Sequence, residues 1–358
     1  MRSPEGAAGS LTHEEILQQP LLWRKTLEQV RAAELAGVRE TAPTILTGAG
    51  TSAYAAAAIA ASWPDGRAIP TTDLLLYTEE ELEAIVPGFG AGGLLISVAR
   101  SGDSPESLAV VSKIQQAFPR VSHLVITCNA AGGLAQLAGV ERIVLDPRTN
   151  DRGLAMTSSF SNLTLAGLAL RHATELAKAL PAICRRAEQA LPSLDHAARD
   201  LANAAVERVV VLASEPLRPL ATEAALKILE MTGGKIVAIP ETFLGLRHGP
   251  MSFLRADSLV LCFLSSHPNR RRYEQDLMSE LHNKSLGRIV TAPTQAGDLP
   301  DCLRVPFEIP FAQLLAYRLS LANGLNPDNP SPEGVITRVV PHFRMHEEPA
   351  PGGHSRNV

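Results

Sequence analysis

Residues 94–108 read Leu-Leu-Ile-Ser-Val-Ala-Arg-Ser-Gly-Asp-Ser-Pro-Glu-Ser-Leu, and they combine an apolar run with a polar turn. An apolar run short enough for a buried strand changes abruptly into hydroxyl residues, one Arg and one Gly. New apolar residues follow Ser-Pro-Glu. The pattern predicts a strand, a tight turn and a helix, with Ser104 as the N-cap and Pro105 at the first helical position.

The turn after this strand carries groups that bind anions. Free backbone N–H groups at the start of the predicted helix point back toward Arg100, Ser101 and Asp103. Unpaired amides, aligned peptide dipoles, hydroxyls and a guanidinium that donates two parallel hydrogen bonds together fit a phosphate monoester. An ordinary capped turn between a strand and a helix explains the same residues equally well, and this segment alone leaves both interpretations open.

Length and composition indicate a globular protein of about two domains. The chain has 358 residues, of which 45% are hydrophobic, and a formal net charge of −4. Its basic and acidic residues are interspersed, so we expect neither nucleic acid nor a membrane surface as a partner. Any positive potential that a phosphate needs must therefore be local.

Cysteine and histidine positions predict no structural metal, and no motif indicates a bound cofactor. The ten histidines form no pair with ligand spacing. The apolar runs are too short to span a membrane and residues 1–10 lack a signal-peptide core, so we expect a cytoplasmic protein. Scattered, unpaired cysteines suit reduced and buried thiols, here Cys128, Cys184, Cys262 and Cys302.

A second strand that ends in hydroxyl residues lies earlier in the chain. Residues 44–54, Thr-Ile-Leu-Thr-Gly-Ala-Gly-Thr-Ser-Ala-Tyr, break at two glycines and then at Thr51 and Ser52 before an Ala-rich helix. The stretch lacks both the complete dinucleotide fingerprint and the P-loop Gly-Lys-Ser/Thr, so it does not indicate a nucleotide. Further strands are predicted over 68–76, 94–98, 123–128 and 142–145.

The second half repeats the alternation of strand and helix. Strands are predicted over 208–213, 235–239, 259–264 and 288–290, with helices over 222–231 and 273–281. This rhythm predicts the α/β class: two tandem domains, each a parallel sheet flanked by helices. Hydroxyl-rich turns with glycine occur in the first half, so we expect only that half to bind phosphate.

The domain boundaries follow from the same pattern. We expect an N-terminal helical segment over 1–30 on the outside of the fold, a first domain over 31–190, a second over 191–345 and a flexible tail over 346–358. A helix is predicted from 158 to 180, ended by Pro181, and a short strand over 335–340.

Three charged residues share one face of an apolar helix in the second half. Glu223, Lys227 and Glu230 stand at i, i+4 and i+7. A solvated stripe with one Glu–Lys pair would explain them. A helix this apolar could instead be buried on several sides, where a carboxylate beside a cation can be tuned for proton transfer. The spacing alone leaves both interpretations open.

A histidine stands in a loop bounded by glycine and proline, Arg247-His248-Gly249-Pro250. Such a loop fixes the position of the imidazole. A catalytic role and a structural histidine bonded to backbone are both compatible with the sequence.

Taken together, these motifs resemble the sugar isomerase (SIS) family, whose members carry two such domains and act on phosphosugars. The resemblance runs over residues 12–342 and is strongest to the branch of ketose/aldose isomerases and galactosamine-6-phosphate deaminases. The isomerase half of glutamine–fructose-6-phosphate aminotransferase is similar as well. The motifs that carry the resemblance are residues 48–52, 101–107, 126–129, 151–159, 223–230, 247–250 and 327–330.

The resemblance implies a role for each matching residue. Glu230 would be the base that moves a proton between C1 and C2, and Glu223 and Lys227 would line the open-chain sugar. His248 would assist ring opening and, in the aminotransferase relatives, comes from a neighbouring subunit, so a homodimer with shared sites is implied. The substrate phosphate would be bound by Thr51, Ser52, Arg100, Ser101 and Ser104, and the sugar would touch the loop at Leu154 and Ala155.

Two positions depart from the aminotransferase pattern. Ala99 replaces a serine, and Val335 replaces a lysine near the C-terminus, although Arg338 lies close by. The implied activity is conversion of a hexosamine 6-phosphate, foremost galactosamine 6-phosphate, to a ketose 6-phosphate and ammonia, or isomerisation of the aldose/ketose pair. A non-catalytic phosphosugar-binding regulator of the same fold is the alternative.

Overall fold

The computed structural model describes residues 9–35, 42–340, 344 and 346. Beyond residue 346, the predicted tail lies outside the described residues. Two parallel sheets form the framework, with strand orders β2-β1-β3-β4-β5 and β7-β6-β8-β9. The strands are β1 Thr44–Thr47, β2 Gly66–Ala68, β3 Leu94–Ala99, β4 Ser122–Thr127, β5 Glu141–Val144, β6 Arg208–Ala213, β7 Val237–Glu241, β8 Leu259–Phe263 and β9 Arg288–Thr291.

Helices cover both sheets, which confirms the predicted α/β class with two parallel sheets. In the described part of the chain, none of them is both long and apolar enough to span a membrane. They are α1 Ser10–Leu17, α2 Gln19–Ala32, α3 Thr51–Ala60, α4 Thr71–Leu74, α5 Glu79–Ile85, α6 Pro105–Ala117, α7 Gly133–Gln136, α8 Ser158–Ala202, α9 Arg218–Met231, α10 Pro268–Asn283 and α11 Val305–Ala322.

The central strand β3 is buried along its whole length, as expected for a strand covered by helices on both faces. It pairs in parallel with β1, and Thr47 lies opposite Ser97. Because the carboxyl ends of parallel strands meet at one edge of a sheet, the turns that follow β1 and β3 emerge side by side. This neighbourhood positions the candidate site.

Two predicted strands are wrong. Over 68–76 the strand ends at Ala68, and Pro70 at the N-cap leads into the short helix α4. Over 335–340 no strand forms, because no neighbouring strand pairs with this segment, and Val335 is 85% exposed. Both errors came from β-branched and apolar runs that alone do not show whether a sheet edge is available.

The predicted end of the long helix at Pro181 is also wrong. Helix α8 continues to Ala202 with Pro181 and Pro192 inside it, and its non-helical backbone lies instead at His172. Buried residues recur at helical spacing across both prolines, so packing against the core outweighs the lost hydrogen bonds. They are Leu176, Leu180, Ile183, Cys184, Ala187, Leu191 and Leu194.

The N-terminal helices belong to the core instead of lying on its outside, which corrects the expectation for this segment. Trp23 of α2 is fully buried, donates a hydrogen bond from Nε1 to Ser161 Oγ at 3.0 Å, and packs edge-to-face on Phe307. Since Ser161 lies in α8 and Phe307 in α11, one side chain joins three helices. Sequence pattern shows an amphipathic helix but not how much of it is covered.

We expect Trp23→Ala to lower the free energy of unfolding by about 3–5 kcal/mol, because it leaves a large cavity where three helices meet. Leu21→Ala in the same helix is the control: Leu21 is 46% exposed, so its loss should cost less than about 1 kcal/mol. Urea unfolding measures both changes. Equal losses for the two variants would contradict the central position of α2.

Candidate active site

A pocket of about 250 Å³ opens at the carboxyl edge of the first sheet. Ser52 from the turn after β1, Ser101 from the turn after β3, and Glu230 from α9 all line it. The structure therefore brings the predicted phosphate-binding hydroxyls and the predicted base into one cavity. Other predicted residues in its wall are Thr51, Arg100, Ser104 and Leu154.

Glycines shape the turn after β1. A Cβ atom on Gly48 would lie 2.6 Å from the backbone carbonyl carbon of Ser52, so a side chain there would clash with the first turn of α3. Gly50 has φ of 55°, a left-handed conformation that L side chains rarely adopt. These two residues let the chain reverse directly into α3, which leaves Thr51 and Ser52 at its N-terminal end.

The turn after β3 begins as predicted but differs in detail. Ser104 is the N-cap of α6 and Pro105 occupies its first position. The Ser104 hydroxyl does not cap the helix, since it donates to Glu106 Oε2 at 2.5 Å. Asp103 Oδ1 accepts a hydrogen bond from the Gly133 N–H at 2.8 Å, which ties the turn to α7.

Arg100 is 7% exposed and faces a loop in the pocket wall. Its Nη1 donates to the Leu154 carbonyl at 2.9 Å and to the Gly153 carbonyl at 3.4 Å. Burial lowers the pKa of this guanidinium, and the nearby Arg338 lowers it further. No carboxylate lies within ion-pair distance of Arg100 in the described ranges, so its positive charge is available to an anion in the pocket.

The charged face of α9 is buried, so the interpretation as a solvated stripe is wrong. Glu223 and Lys227 are both 0% exposed. Lys227 Nζ lies 3.0 Å from Thr51 Oγ1 and 3.5 Å from Glu223 Oε1, and it is hydrogen-bonded to Glu230. Thr51 in turn donates to Glu223 Oε1 at 3.3 Å. We call Thr51, Glu223, Lys227 and Glu230 the α3/α9 cluster.

Burial and mutual charge set the protonation of this cluster. Burial raises the pKa of Glu223 to about 8, against the opposing effect of Lys227. Burial alone would lower the pKa of Lys227, but Glu223 and Glu230 raise it. Burial and Lys227 thus act in opposite directions on the Glu223 carboxyl, whereas both neighbouring carboxylates favour the charged form of Lys227. Oε2 of Glu223 has no hydrogen-bond partner among the described residues.

Four predicted residues do not line the pocket. Glu223 and Lys227 lie behind Thr51 and Glu230, and Ala155 is buried beside Leu154. His248 lies outside the pocket altogether: it follows a 3-10 turn over Gly245–Arg247 in the second half and is exposed. Its predicted role in ring opening stays a prediction.

Contacts from distant parts of the chain hold the loop at Gly153. The buried carboxylate of Glu15 in α1 accepts from the backbone N–H groups of Arg152, at 2.5 Å, and Gly153, at 3.3 Å. The Asp328 carbonyl accepts from the Leu154 N–H at 3.0 Å. The Asp328 carboxylate accepts from the N–H of Thr12 at 2.8 Å. Sequence reasoning missed these supports, because their partners lie more than 130 residues apart.

One buried carboxylate caps the long helix that follows this loop. Asp151 accepts hydrogen bonds from the backbone N–H groups of Thr157, Ser158 and Ser159 at 2.9–3.0 Å. An aspartate shortly before a run of hydroxyl residues at a helix start was the sequence signal that could have revealed this cap.

In the second half, the turn equivalent to that after β3 is filled by the chain itself. Strand β8 lies between β6 and β9, as β3 lies between β1 and β4. Asp301 Oδ1 accepts from Ser266 N at 2.9 Å, from Ser266 Oγ at 2.8 Å and from Arg304 Nη1 at 2.7 Å. A carboxylate of the chain itself thus accepts the hydrogen bonds of this turn.

Three of the four cysteines are buried, as predicted, and Cys302 is half-buried. Cys128, Cys184 and Cys262 are buried, and burial raises their pKa values to about 12, 11 and 12. Cys302 is half-buried, and burial raises its pKa as well. Within the described ranges no three His, Cys, Asp or Glu side chains form a group that could hold a metal ion.

Curated relatives cover nearly the whole chain. The D-galactosamine-6-phosphate deaminase AgaS of Escherichia coli O157:H7 is 35% identical, over 95% of this chain and 96% of its own. The protein of the same name from Shewanella sp. strain ANA-3 is 37% identical, over 92% and 90%. The chain belongs to the sugar isomerase (SIS) family.

A solved structure gives the same result for the SIS fold. The crystal structure of tagatose-6-phosphate ketose/aldose isomerase from Escherichia coli matches with a TM-score of 0.79 and 33% identity, covering 89% of this chain and 95% of that one. No family model matches the chain. The family therefore rests on relatives that extend over both halves, in agreement with the resemblance of the motifs.

We expect Glu15 to make the free energy of unfolding decrease as the pH rises from about 4.5 to 7. Burial raises the pKa of this carboxyl from 4.5 to about 7, so the unfolded chain releases the proton first as pH rises. Below 4.5 and above 7 the contribution is constant, and between them its slope is at most about 1.4 kcal/mol per pH unit. Glu15→Gln should remove this part of the slope in urea unfolding measured at several pH values.

Glu14→Gln is the matched control for this measurement. Its side chain is 68% exposed and ion-paired with Arg152 at 3.1 Å, so the wild-type pH slope should persist. Parallel pH profiles for wild type and Glu15→Gln would show that the Glu15 proton is not linked to folding.

Proposed function

We propose that this SIS protein is a cytoplasmic enzyme that converts D-galactosamine 6-phosphate to a ketose 6-phosphate and ammonia. The names of the relatives at 35–37% identity support the substrate. The observation that carries the proposal is that Ser52, Ser101 and Glu230 line one pocket, with Lys227 directly behind. An anion-binding turn and a carboxylate in the same cavity are what a phosphosugar isomerase needs.

Binding of the substrate phosphate fixes the position of the sugar. Hydroxyls of Ser52 and Ser101, N–H groups at the start of α3 that include that of Thr51, and the unpaired charge of Arg100 supply donors for a phosphate dianion. Ser104 is the remaining predicted contact. Held at this end, the open-chain sugar extends toward Glu230, and the binding energy supplies orientation for the chemical step.

Glu230 then acts as the base. Its carboxylate removes the proton from C2 of the open-chain aldose, which gives an enolamine, and returns a proton to C1. The product carries an imine at C2, to which water adds before ammonia leaves, so that a ketose 6-phosphate remains. With a hydroxyl at C2 the same proton transfer gives an enediol and then the isomeric ketose.

The α3/α9 cluster orients the base. Lys227 holds Glu230 through a hydrogen bond and is itself fixed by Thr51 and Glu223. Because Lys227 is fully buried, its charge acts at low dielectric and stabilises negative charge nearby. Leu154 and Ala155 form the loop beside the sugar.

We also propose that the site is completed in a homodimer. In its own chain His248 is exposed and away from the pocket. A second groove of about 510 Å³ runs beside Glu230 between α9 and residues 330–336. Its wall includes Leu229, which is 41% exposed, so an apolar surface adjoins the base. A loop of a second copy that carries His248 would fit this position.

A non-catalytic phosphosugar regulator is the second candidate. Such a protein would need the phosphate-binding turns but not a buried lysine and a paired carboxylate in the same cavity. Burial of Lys227 costs free energy, and a protein that only binds a phosphosugar does not need a buried lysine there. The presence of Glu230 with Lys227 therefore favours the enzyme.

We expect the wild-type protein to release ammonia and ketose phosphate in equal amounts from galactosamine 6-phosphate, with glucosamine 6-phosphate assayed in parallel to decide the C4 epimer. Glu230→Gln should lower kcat by about 10²–10⁴-fold with KM changed little, because the amide cannot accept the C2 proton. Glu207→Gln, an exposed position, should retain wild-type rates. More than a tenth of the activity in Glu230→Gln would remove this residue from the role of base.

We expect complementation between subunits. Glu230→Gln and His248→Ala should each be nearly inactive alone, whereas unfolding and refolding an equal mixture should restore roughly a quarter of the wild-type sites, because half of the random dimers carry one intact pair. Steady-state ammonia release measures the recovery. If the mixture stays as inactive as its components while the mixed dimers have formed, His248 does not act across the interface.

A further inference from the structure

A second arginine lies in the pocket wall, carried by the C-terminal segment. Residues 336–340 line one side of the pocket, and Arg338 is among them. Its Nη1 donates to the Gly153 carbonyl at 3.2 Å and its Nη2 to Asn150 Oδ1 at 2.6 Å. In the part of the chain that the structure describes, these hydrogen bonds tie residues 335–340 to the loop that precedes Leu154.

Arg338 and Arg100 converge on one atom. Both donate to the carbonyl oxygen of Gly153, at 3.2 and 3.4 Å. Two like charges this close repel each other, and no carboxylate of the described residues is within ion-pair distance of either. Glu230, the acidic residue in the pocket wall, is already hydrogen-bonded to Lys227. Among the described residues, the two guanidiniums therefore have no carboxylate partner.

Both side chains retain donors for an anion. A guanidinium has five N–H groups. Arg100 uses Nη1 for its two carbonyls, so its Nε and Nη2 have no partner among the described residues. Arg338 uses one hydrogen each of Nη1 and Nη2, so its Nε is likewise without one. Donors from two guanidiniums suit an anion with several oxygens and more than one negative charge.

We propose that Arg338 is a second guanidinium contact to the substrate phosphate and so determines preference for phosphorylated over unphosphorylated sugars. The inference rests on the proposed function for the identity of the sugar. Phosphate between Arg100 and Arg338 offsets their repulsion. Because Arg338 belongs to the C-terminal segment, the bound phosphate also holds that segment against the Gly153 loop.

A role at the reacting end of the sugar is the competing explanation, since the relatives of the aminotransferase type have a lysine near this segment. The contacts favour the phosphate end: Arg338 is bound to the same loop carbonyl as Arg100, whereas Glu230 is held on α9 by Lys227. The two explanations differ in measurable terms. A phosphate contact acts on KM and on binding of inorganic phosphate, and a contact at C1 or C2 acts on kcat.

The test compares Arg338→Ala and Arg338→Lys with wild type in two measurements. Calorimetric titration with inorganic phosphate should show binding weakened about 10- to 100-fold in Arg338→Ala, and less in Arg338→Lys, which keeps a charge but loses the planar fork. KM for the phosphorylated substrate should rise by a similar factor with kcat within about threefold, whereas kcat/KM for unphosphorylated galactosamine should stay the same.

Arg344→Ala is the charge-matched control, an exposed arginine of the same terminal region that does not line the pocket. It should leave phosphate binding and KM unchanged. Arg338→Ala with phosphate affinity and KM within twofold of wild type, or with a loss confined to kcat, would overturn the proposal. Phosphate binding is measured without turnover, so an inactive wild-type protein would contradict the proposed function while leaving this test valid.

Discussion

The contact between Lys227 and Thr51 joins the two halves of this SIS protein, and the geometry of the site depends on it. Thr51 begins α3 beside the first sheet, and Lys227 lies in α9 beside the second. Their 3.0 Å hydrogen bond, with Glu223 and Glu230 around it, satisfies a fully buried ammonium that would otherwise be very costly. The same bond therefore fixes the distance between the proposed phosphate-binding turn and the proposed base.

The two sheets have the same architecture but carry different groups at the corresponding edge. In the first, the turns after β1 and β3 leave an open pocket with hydroxyls and Arg100 in its wall. In the second, Asp301 supplies an internal anion to Ser265, Ser266 and Arg304 at the corresponding edge. Donors of the same kind are thus paired within the chain in one half and face an open pocket in the other, which a strand-and-helix pattern cannot distinguish.

Most strands could be predicted because buried parallel strands are short apolar runs bounded by turn residues. One error has a local cause, since Pro70 stands at the N-cap of α4 and the strand predicted over 68–76 ends before it. Another depends on distant partners, since α8 continues through Pro181 because its apolar stripe stays covered. For the site, spacing placed Glu223, Lys227 and Glu230 on one face, but only the tertiary structure shows that this face is buried.

The position of the loop at Gly153 could not be predicted from the sequence, because the residues that hold it lie far away along the chain. A carboxylate contacts the N–H group of Gly153, and guanidiniums contact its carbonyl group. The Glu15 carboxylate accepts from the Gly153 N–H, while Arg100 and Arg338 donate to its carbonyl. Acceptor and donors thus fix both sides of one residue, which preorganises the loop before any ligand arrives. Since Glu15 lies in α1 and Arg338 in residues 335–340, segments from early and late in the chain both hold this loop.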